Sequence, residues 1–482
     1  MKRPILLFIL LLSQIIISQE KFLEINNNFK EGTRKVHTAF PVVDEATGNF
    51  AIFLDDDNNI YGFLYSAALD LIGEFASEGL AKKYEQIIGY SVNGKEIRLF
   101  LKDRKDKTFG SILFNFENKS TEETLYDFKL KNEVYVGGYS DASKFHLVTI
   151  NKESSILNFY VFEEGSEYTK QSLDLSKESF YDNQGAVQHL YTIMATGGSE
   201  TRFGNFNSFK IDKIDSHSPN SIETTSEILK MYPEKHGFKL TIDTQTLTYI
   251  IDVSTEELNY TLSTIEKPSI SAPMVNSNSF ILDDKIYLIS SSDEEMVFSI
   301  KSLETGKELK NLQVKKDEEI IFKNTPIIQE GGTYKDYREM EKSSKFLRRL
   351  SKEDIGVAVV KSNNDYVITM GSKKEMVRGG APMMMPGFGM PMGAIVGFTV
   401  TFNPTFYAYG SYNSTKATRI ECLFDQDFNH KSGDIPKNVF DIITESADTF
   451  PKKDAETVFK LNDSYIWGVY NKKLNQYTLF KF

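Results

Sequence analysis

Residues 238–262, FKLTIDTQTLTYIIDVSTEELNYTL, carry a pattern that recurs along the chain. Apolar and polar residues alternate at Phe238, Leu240 and Ile242, and a polar turn follows over 243–246. A second run, 247–253, is rich in β-branched and aromatic residues, and polar residues then lead to Leu258, Tyr260 and Leu262. Alternation at period two in residues of this kind predicts strand, turn, strand, turn, strand.

Comparable hairpins follow one another at 50–65, 96–116, 144–162, 189–211, 237–253 and 285–303. A seventh joins 366–369 to 418–424 across a long insertion, and an eighth covers 465–482. An x-Pro-apolar-apolar signature at Pro41, Pro273 and Pro326 gives a second measure of the period. The 232 residues from Pro41 to Pro273 divide into five units of about 46, and a four-stranded propeller blade takes about 40–50. The expectation is an all-β chain whose residues 19–482 form a single β-propeller of eight four-stranded blades, or seven if the unit over 184–229 is irregular. The last unit holds only three strands, 457–461, 465–470 and 476–482, while residues 22–26 form a strand with no local partner. Pairing the two would close the ring and remove two open sheet edges.

Two insertions interrupt the penultimate blade, over 330–354 and 371–416. Within the first, residues 334–350 read as an amphipathic helix, with Tyr337, Met340, Ser344, Leu347 and Leu350 on one face, packed on the propeller. The second is a loop rich in Met, Gly and Pro, followed by a hairpin of 394–402 and 405–412. Seven of the thirteen methionines lie between 370 and 392. Met383, Met384, Met385, Phe388, Met390 and Met392 are apolar, yet the interspersed prolines and glycines deny them a helix or strand. Irregular backbone belongs at the surface, and methionine's unbranched side chain repacks against different partners. The segment therefore reads as an interaction loop for an envelope protein or a membrane surface. Its rivals are a loop folded back over the propeller and a thioether site for Cu(I).

The amino terminus, MKRPILLFILLLSQIIIS, has a charged start and a short apolar run, as an export signal removed near Ser18 does. Ser13 and Gln14 shorten the apolar run below the roughly 20 residues of a membrane span. The mature chain would carry 54 basic against 67 acidic residues, a net charge of −13, which repels nucleic acid. The lone Cys422 alternates with Ile420 and Phe424, which predicts a buried, reduced thiol. An exported chain without a disulfide fits a bacterial periplasm or secretion from such a cell.

Several catalytic motifs are approached and missed. Residues 89–95 have the glycine and lysine spacing of a phosphate loop, but Glu96 stands where Ser or Thr is needed, and the context is strand, Asn-Gly turn, strand. Asp55, Asp57 and Asn59 start like a calcium loop, then fail at Ile60 and Ser66. Asp425, Asp427 and Asn429 fail likewise at His430 and Pro436. Turn chemistry accounts for both better, with weak calcium binding as the alternative. The six histidines, at 37, 146, 189, 217, 236 and 430, make no metal-binding spacing, and Arg202, Arg338 and Arg378 define no anion site by order alone. Residues 197–204 read as a polar connection. No cofactor is indicated. Trp467 is the only tryptophan, and the Gly137-Gly138 and Gly197-Gly198 pairs resemble a kelch diglycine that the other hairpins lack. The chain resembles uncharacterised bacterial secreted β-propeller-like proteins. That resemblance covers the repeats and implies an exported propeller without implying an activity. Two readings follow: a non-catalytic binding scaffold in the cell envelope, or a hydrolase of carbohydrate or peptide with its site at the central propeller mouth.

Overall fold

The period-two runs pair locally into antiparallel sheets. In the computed structural model strand covers 52% of the chain and helix 9%, so the fold is all-β. The structure describes residues 20–30, 35–127, 129–141, 143–163, 165–198, 209–272, 275–331, 337–374 and 399–482. Sheet 1 is Thr38–Val43, Phe50–Asp55, Asn59–Tyr65 and Leu71–Glu78. Sheet 2 is Gln86–Asn93, Glu96–Lys102, Phe109–Asn115 and Ser120–Tyr126. Sheet 3 is Glu133–Asp141, Lys144–Asn151, Ile156–Phe162 and Thr169–Asp174. Sheet 4 is Leu229–Glu234, Gly237–Asp243, Leu247–Ser254 and Asn259–Glu266. Sheet 5 is Asn276–Leu282, Lys285–Ser291, Glu295–Ser302 and Glu308–Lys315. Sheet 6 is Asp354–Ser362, Asp365–Lys373, Ala417–Phe424, Ile327–Glu330 and Tyr337–Met340, in spatial order.

Sheet 7 contains Asp454–Leu461, Ser464–Asn471 and Gln476–Lys481, and its fourth strand is Glu20–Asn26. This amino-terminal strand runs antiparallel to Gln476–Lys481 with Ile25 opposite Tyr477, the pairing expected from the missing fourth strand. Sheets 7 and 1 then share a core in which Ile25, Phe50, Tyr61, Tyr477 and Leu479 are buried.

The second and third strands read as near-continuous apolar runs because neighbouring sheets cover both of their faces. Phe50–Asp55 is buried at every position, whereas the outer strand Ser120–Tyr126 is exposed at five of its seven residues. First strands of adjacent sheets lie against each other, as Thr38–Val43 does with Asp454–Leu461 and Asn276–Leu282 with Asp354–Ser362. They define an inner edge.

Four expectations change. Residues 189–211 form no hairpin: Leu190–Thr196 is helix α1, ended by Gly197 in the left-handed region at φ 60°. Leu190, Ile193 and Met194 follow helical spacing and fill the core between sheets 3 and 4. The first strands of sheets 3 and 4 start at Glu133 and Leu229, 96 residues apart, twice the 48 between Thr38 and Gln86. The period persists, but one unit contributes only the two-residue pairing of Phe180–Tyr181 with Val187–Gln188. Seven sheets of four or five strands result among the described residues, the count expected if the unit over 184–229 is irregular.

The helix expected over 334–350 is divided. Tyr337–Met340 is an edge strand with Tyr337 exposed, and only Ser343–Leu350, α3, is helical. Phe346, Leu347 and Leu350 of α3 do pack into the sheet 5 and 6 core. The hairpin expected over 394–412 is absent from the described residues. Thr399–Val400 pairs in parallel with Gln86 and Ile87, and Pro404–Asn413 is helix α4. Asn403 caps α4 by accepting from the Phe406 amide, and Pro404 occupies its first turn, so the cap outweighs the aromatic composition. The proline signature marks no fixed position: Pro41 lies in an inner strand, Pro326 precedes a fourth strand, and Pro273 is outside the described residues.

Candidate functional site

Two segments leave the sheets and cross the inner edge, and they meet. The first is 209–228, carrying the strand Asp212–Lys213 and the helical turn α2, Ile222–Thr225. Asp212–Lys213 adds in parallel to the first strand of sheet 4, while α2 lies on the first strand of sheet 6. Gly356 permits that approach, since a Cβ there would meet the Ser226 amide and the Thr225 hydroxyl at 3.1 Å. The second segment is 399–416, running from sheet 2 through α4 to sheet 6. Asn403 donates to the Val458 carbonyl of sheet 7, and Ser411 of α4 bonds Ser221 beside α2.

Asp215 is the hub of this junction. Its carboxylate accepts from Lys460 of sheet 7 at 2.8 Å, from Thr405 of α4 at 2.8 Å and from Ser218 at 2.5 Å. Burial pushes this carboxyl up, but Lys460 and the two hydroxyls override it and hold the group below the ordinary carboxylate range. Next to it, Lys230 bonds Asp243 at 2.6 Å, and Lys267 pairs with the same carboxylate at 2.8 Å. Thr248 and Ser279 add their hydroxyls to Asp243, while Lys230 also reaches Asn278 and the Glu227 carbonyl. Burial again opposes ionisation of Asp243, and the two ammonium groups win and depress it far below its usual value. Lys267 shares its carboxylate with Lys230, and burial lowers its ammonium to about 8.

A third cluster joins segment 209–228 to sheet 6. Glu227 pairs with Lys210 and Lys373, while Asp212 lies buried nearby. Burial and then the Glu227 charge raise Asp212 to about 8, whereas the two lysines overcome burial and lower Glu227. Divergence of this kind suits an acid–base pair, but neither carboxyl lines the cleft beside Asp215 or the one at Asn220 and Tyr412. The adjoining cleft, about 180 Å3, is lined by Asp215, His217, Tyr232, Glu234, Lys239 and Asp283, among others. Its charges are mutually engaged: Lys239 with Glu234, His217 at 3.9 Å from Asp283, Asp215 with Lys460. The arrangement ties segments together more than it presents free catalytic groups.

The interaction-loop residues Met383, Met384, Met385, Phe388, Met390 and Met392 lie outside the described residues, as do the signal segment, Arg202 and Arg378. Of the flanks of that loop, Lys373 reaches the junction through Glu227, while the Thr399 amide donates to the Glu85 carbonyl beside sheet 2 at 2.7 Å. Arg338 sits on the sheet 6 edge strand and belongs to no site. Cys422 is buried and free, and burial raises its thiol well above the usual range. Gly94 takes φ 60° in the turn between the first two strands of sheet 2, as the Asn-Gly reading requires. The Asp425 carboxylate accepts from the Asp427 and Asn429 amides, a turn as expected. Sequence reasoning missed Asp212, Asp215, Glu227, Lys230 and Lys267. The available signal was Lys230, a charge between Leu229 and Met231 in the buried half of its strand.

Among the described residues no helix is long and apolar enough to cross a membrane, and no three His, Cys, Asp or Glu residues are grouped to hold a metal ion. No family model and no curated protein matches the chain. Among solved structures it is similar to the apocarotenoid oxygenase of Synechocystis at TM-score 0.29 and 8% identity, over 59% of this chain and 63% of that one. It therefore spans less than two thirds of that enzyme's length. It is also similar to dihydro-heme d1 dehydrogenase NirN in complex with DHE, at TM-score 0.26 and 9% identity, over 72% and 73%. A third likeness is to Aleuria aurantia lectin in complex with alpha-methyl-L-fucoside, at TM-score 0.23 and 11% identity, over 71% and 90%. At these TM-scores none of the three bears on what this chain does.

Proposed function

We propose that the chain is an exported β-propeller of seven blades, closed by its amino-terminal strand, that serves as a non-catalytic binding scaffold in the cell envelope. The observation that carries this reading is the use of the inner-edge charges. Asp215 and Glu227 of segment 209–228 are held by Lys460 of sheet 7 and Lys373 of sheet 6, Asp215 also takes the Thr405 hydroxyl of segment 399–416, and Asp243 of sheet 4 is held by Lys230 and Lys267. A hydrolase at a central mouth needs a nucleophile or a carboxylate pair facing an open cleft. Here the charges are spent on holding the middle together. The Met-rich loop, whose described flanks lie at Lys373 in sheet 6 and Thr399 beside sheet 2, is the surface this reading assigns to an envelope protein or a membrane.

The test uses the purified mature protein and a variant lacking 383–393. Capture of a defined envelope protein or of anionic vesicles by the mature protein, lost in the deletion variant at unchanged melting temperature, is the expected result. A clear fall in melting temperature without loss of binding would overturn the loop assignment. Saturable hydrolysis of glycosides or peptides by the mature protein would overturn the scaffold reading.

A further inference from the structure

Sheets 1 and 4 place a buried aspartate at the same point of the repeat. Asp55 ends the second strand of sheet 1 and pairs with Ile60 five residues on; Asp243 ends the second strand of sheet 4 and pairs with Thr248 five residues on. The turns match as well. Asp56 donates its amide to the Asn59 carbonyl as Thr244 does to that of Leu247. Gly79 donates to Asn58, three residues after Asp55, as Lys267 does to Thr246, three residues after Asp243. Asp55 and Asp243 are 1% and 2% exposed.

Their surroundings differ in the Thr248 and Ser279 hydroxyls that Asp243 accepts, where Ile60 stands opposite Asp55, and above all in the counter-charge. Asp243 has Lys230 and Lys267 on it. Lys230 stands opposite Thr241, two residues before Asp243; the matching position opposite Phe53 is Phe40. Gly79 stands at the place of Lys267. A side chain cannot start there, because a Cβ on Gly79 would meet the Asp57 carbonyl oxygen at 2.9 Å. Sheet 1 therefore keeps the carboxylate and has dropped both ammonium groups. Asp55 Oδ2 and Asp57 Oδ1 are buried atoms with no hydrogen-bond partner among the described residues. The intervening Asp56 is already served by Lys30, Tyr61 and the amides of Asn58 and Asn59.

We propose that Asp55 and Asp57 bind a hard divalent cation of the calcium class, which takes the place that Lys230 and Lys267 hold in sheet 4. The Asp57 amide donates to Asp55 Oδ1 and His37 meets Asp57 Oδ2, and the two carboxylate oxygens left over, with no lysine on either, call for a divalent rather than a monovalent ion. With only two acidic side chains, and His37 engaged with Asp57 at 3.3 Å, the site suits a metal that completes its shell with carbonyl oxygens and water. Zinc, which asks for three or four nitrogen or sulfur side-chain ligands, does not fit.

The experiment is calorimetric titration of the EGTA-treated mature protein with CaCl2 at pH 8, with thermal melts in EGTA and in Ca2+. The expected result is one site per chain with a Kd of about 0.1–1 mM, in the range of weak extracellular calcium modules, and a higher melting temperature in Ca2+. Asp55→Asn should weaken binding by at least about tenfold and remove the calcium-dependent part of the melt. Asp425→Asn, in a turn whose carboxylate is already satisfied by backbone amides, should change neither. Absence of binding heat and of a melting shift in the unmodified protein overturns the proposal, as does undiminished binding in Asp55→Asn. Should that variant fail to fold, Asp57→Asn, at the more exposed carboxylate, decides: binding equal to the unmodified protein overturns the assignment.

Discussion

His146 is 1% exposed, and neither of its ring nitrogens has a hydrogen-bond partner among the described residues. Burial lowers its ionisation to about 4, against an upward pull from Asp141 and with a further downward push from Lys144. The unfolded chain takes up this proton near pH 6.5, the folded chain only near 4. Above 6.5 both states are neutral and pH has no effect through this group. Between 6.5 and 4 stability falls by about 1.4 kcal/mol per pH unit, to a total of roughly 3 kcal/mol, and it levels off below that. His146→Leu should therefore flatten the acid limb of a plot of unfolding free energy against pH. An unaltered slope between pH 4 and 6.5 would show that the ring is not held neutral. Asp55 acts with the opposite sign. Burial, with Asp57 and Asp56 beside it, raises its carboxyl to about 7, so the stability it lends at low pH is lost as pH rises from about 4 to 7. Comparison of the histidine variant with the unmodified protein isolates one from the other, since Asp55 is common to both.

At the scale of elements, strands were legible where both sheet faces are covered and turns are short. The second and third strands of sheets 1 to 5 lie where alternation and Asp, Asn or Gly turns put them. The crossing segments were not legible, because their structure is set by caps and distant partners rather than by local period. In 404–413, PTFYAYGSYN, aromatic residues argue for a strand, but Asn403 supplies a side-chain acceptor for the Phe406 amide and fixes a helix start. Ala408 and Tyr409 then bury against Phe440 and Ile443 of α5, Val439–Ala447, and against Trp467. Asp215 reads as an ordinary turn residue until Lys460, 245 positions away, arrives on it. Replacing Asn403 with alanine removes both the cap and the bond to Val458, so a loss of about 1–2 kcal/mol is expected. Chemical denaturation measures it. A change below about 0.5 kcal/mol would mean that packing against α5, and not the cap, holds α4 in place.

At the scale of the whole molecule, the ends of the chain carry the decisive contact. In the closed propeller proposed above, sheet 2 adds only the two-residue strand Thr399–Val400 from afar, whereas the seventh sheet borrows a full strand, Glu20–Asn26. That strand pairs along its length with Gln476–Lys481, buries Ile25, and sets Phe22 within 6.4 Å of the Phe50 ring in sheet 1. Its removal costs the ladder bonds at roughly 1 kcal/mol each and the burial of Ile25 at roughly 2 kcal/mol. It also bares the edge of Gln476–Lys481, which invites pairing with a second chain. A chain of residues 28–482 should melt well below one of residues 19–482 and aggregate in proportion to its concentration. A synthetic peptide of residues 19–27 added in trans should restore part of the lost stability, because it can refill the same edge. An unchanged melting temperature on deletion would mean that the sheets are secured by the crossing segments 209–228 and 399–416, with the terminal strand only an ornament on the seventh sheet.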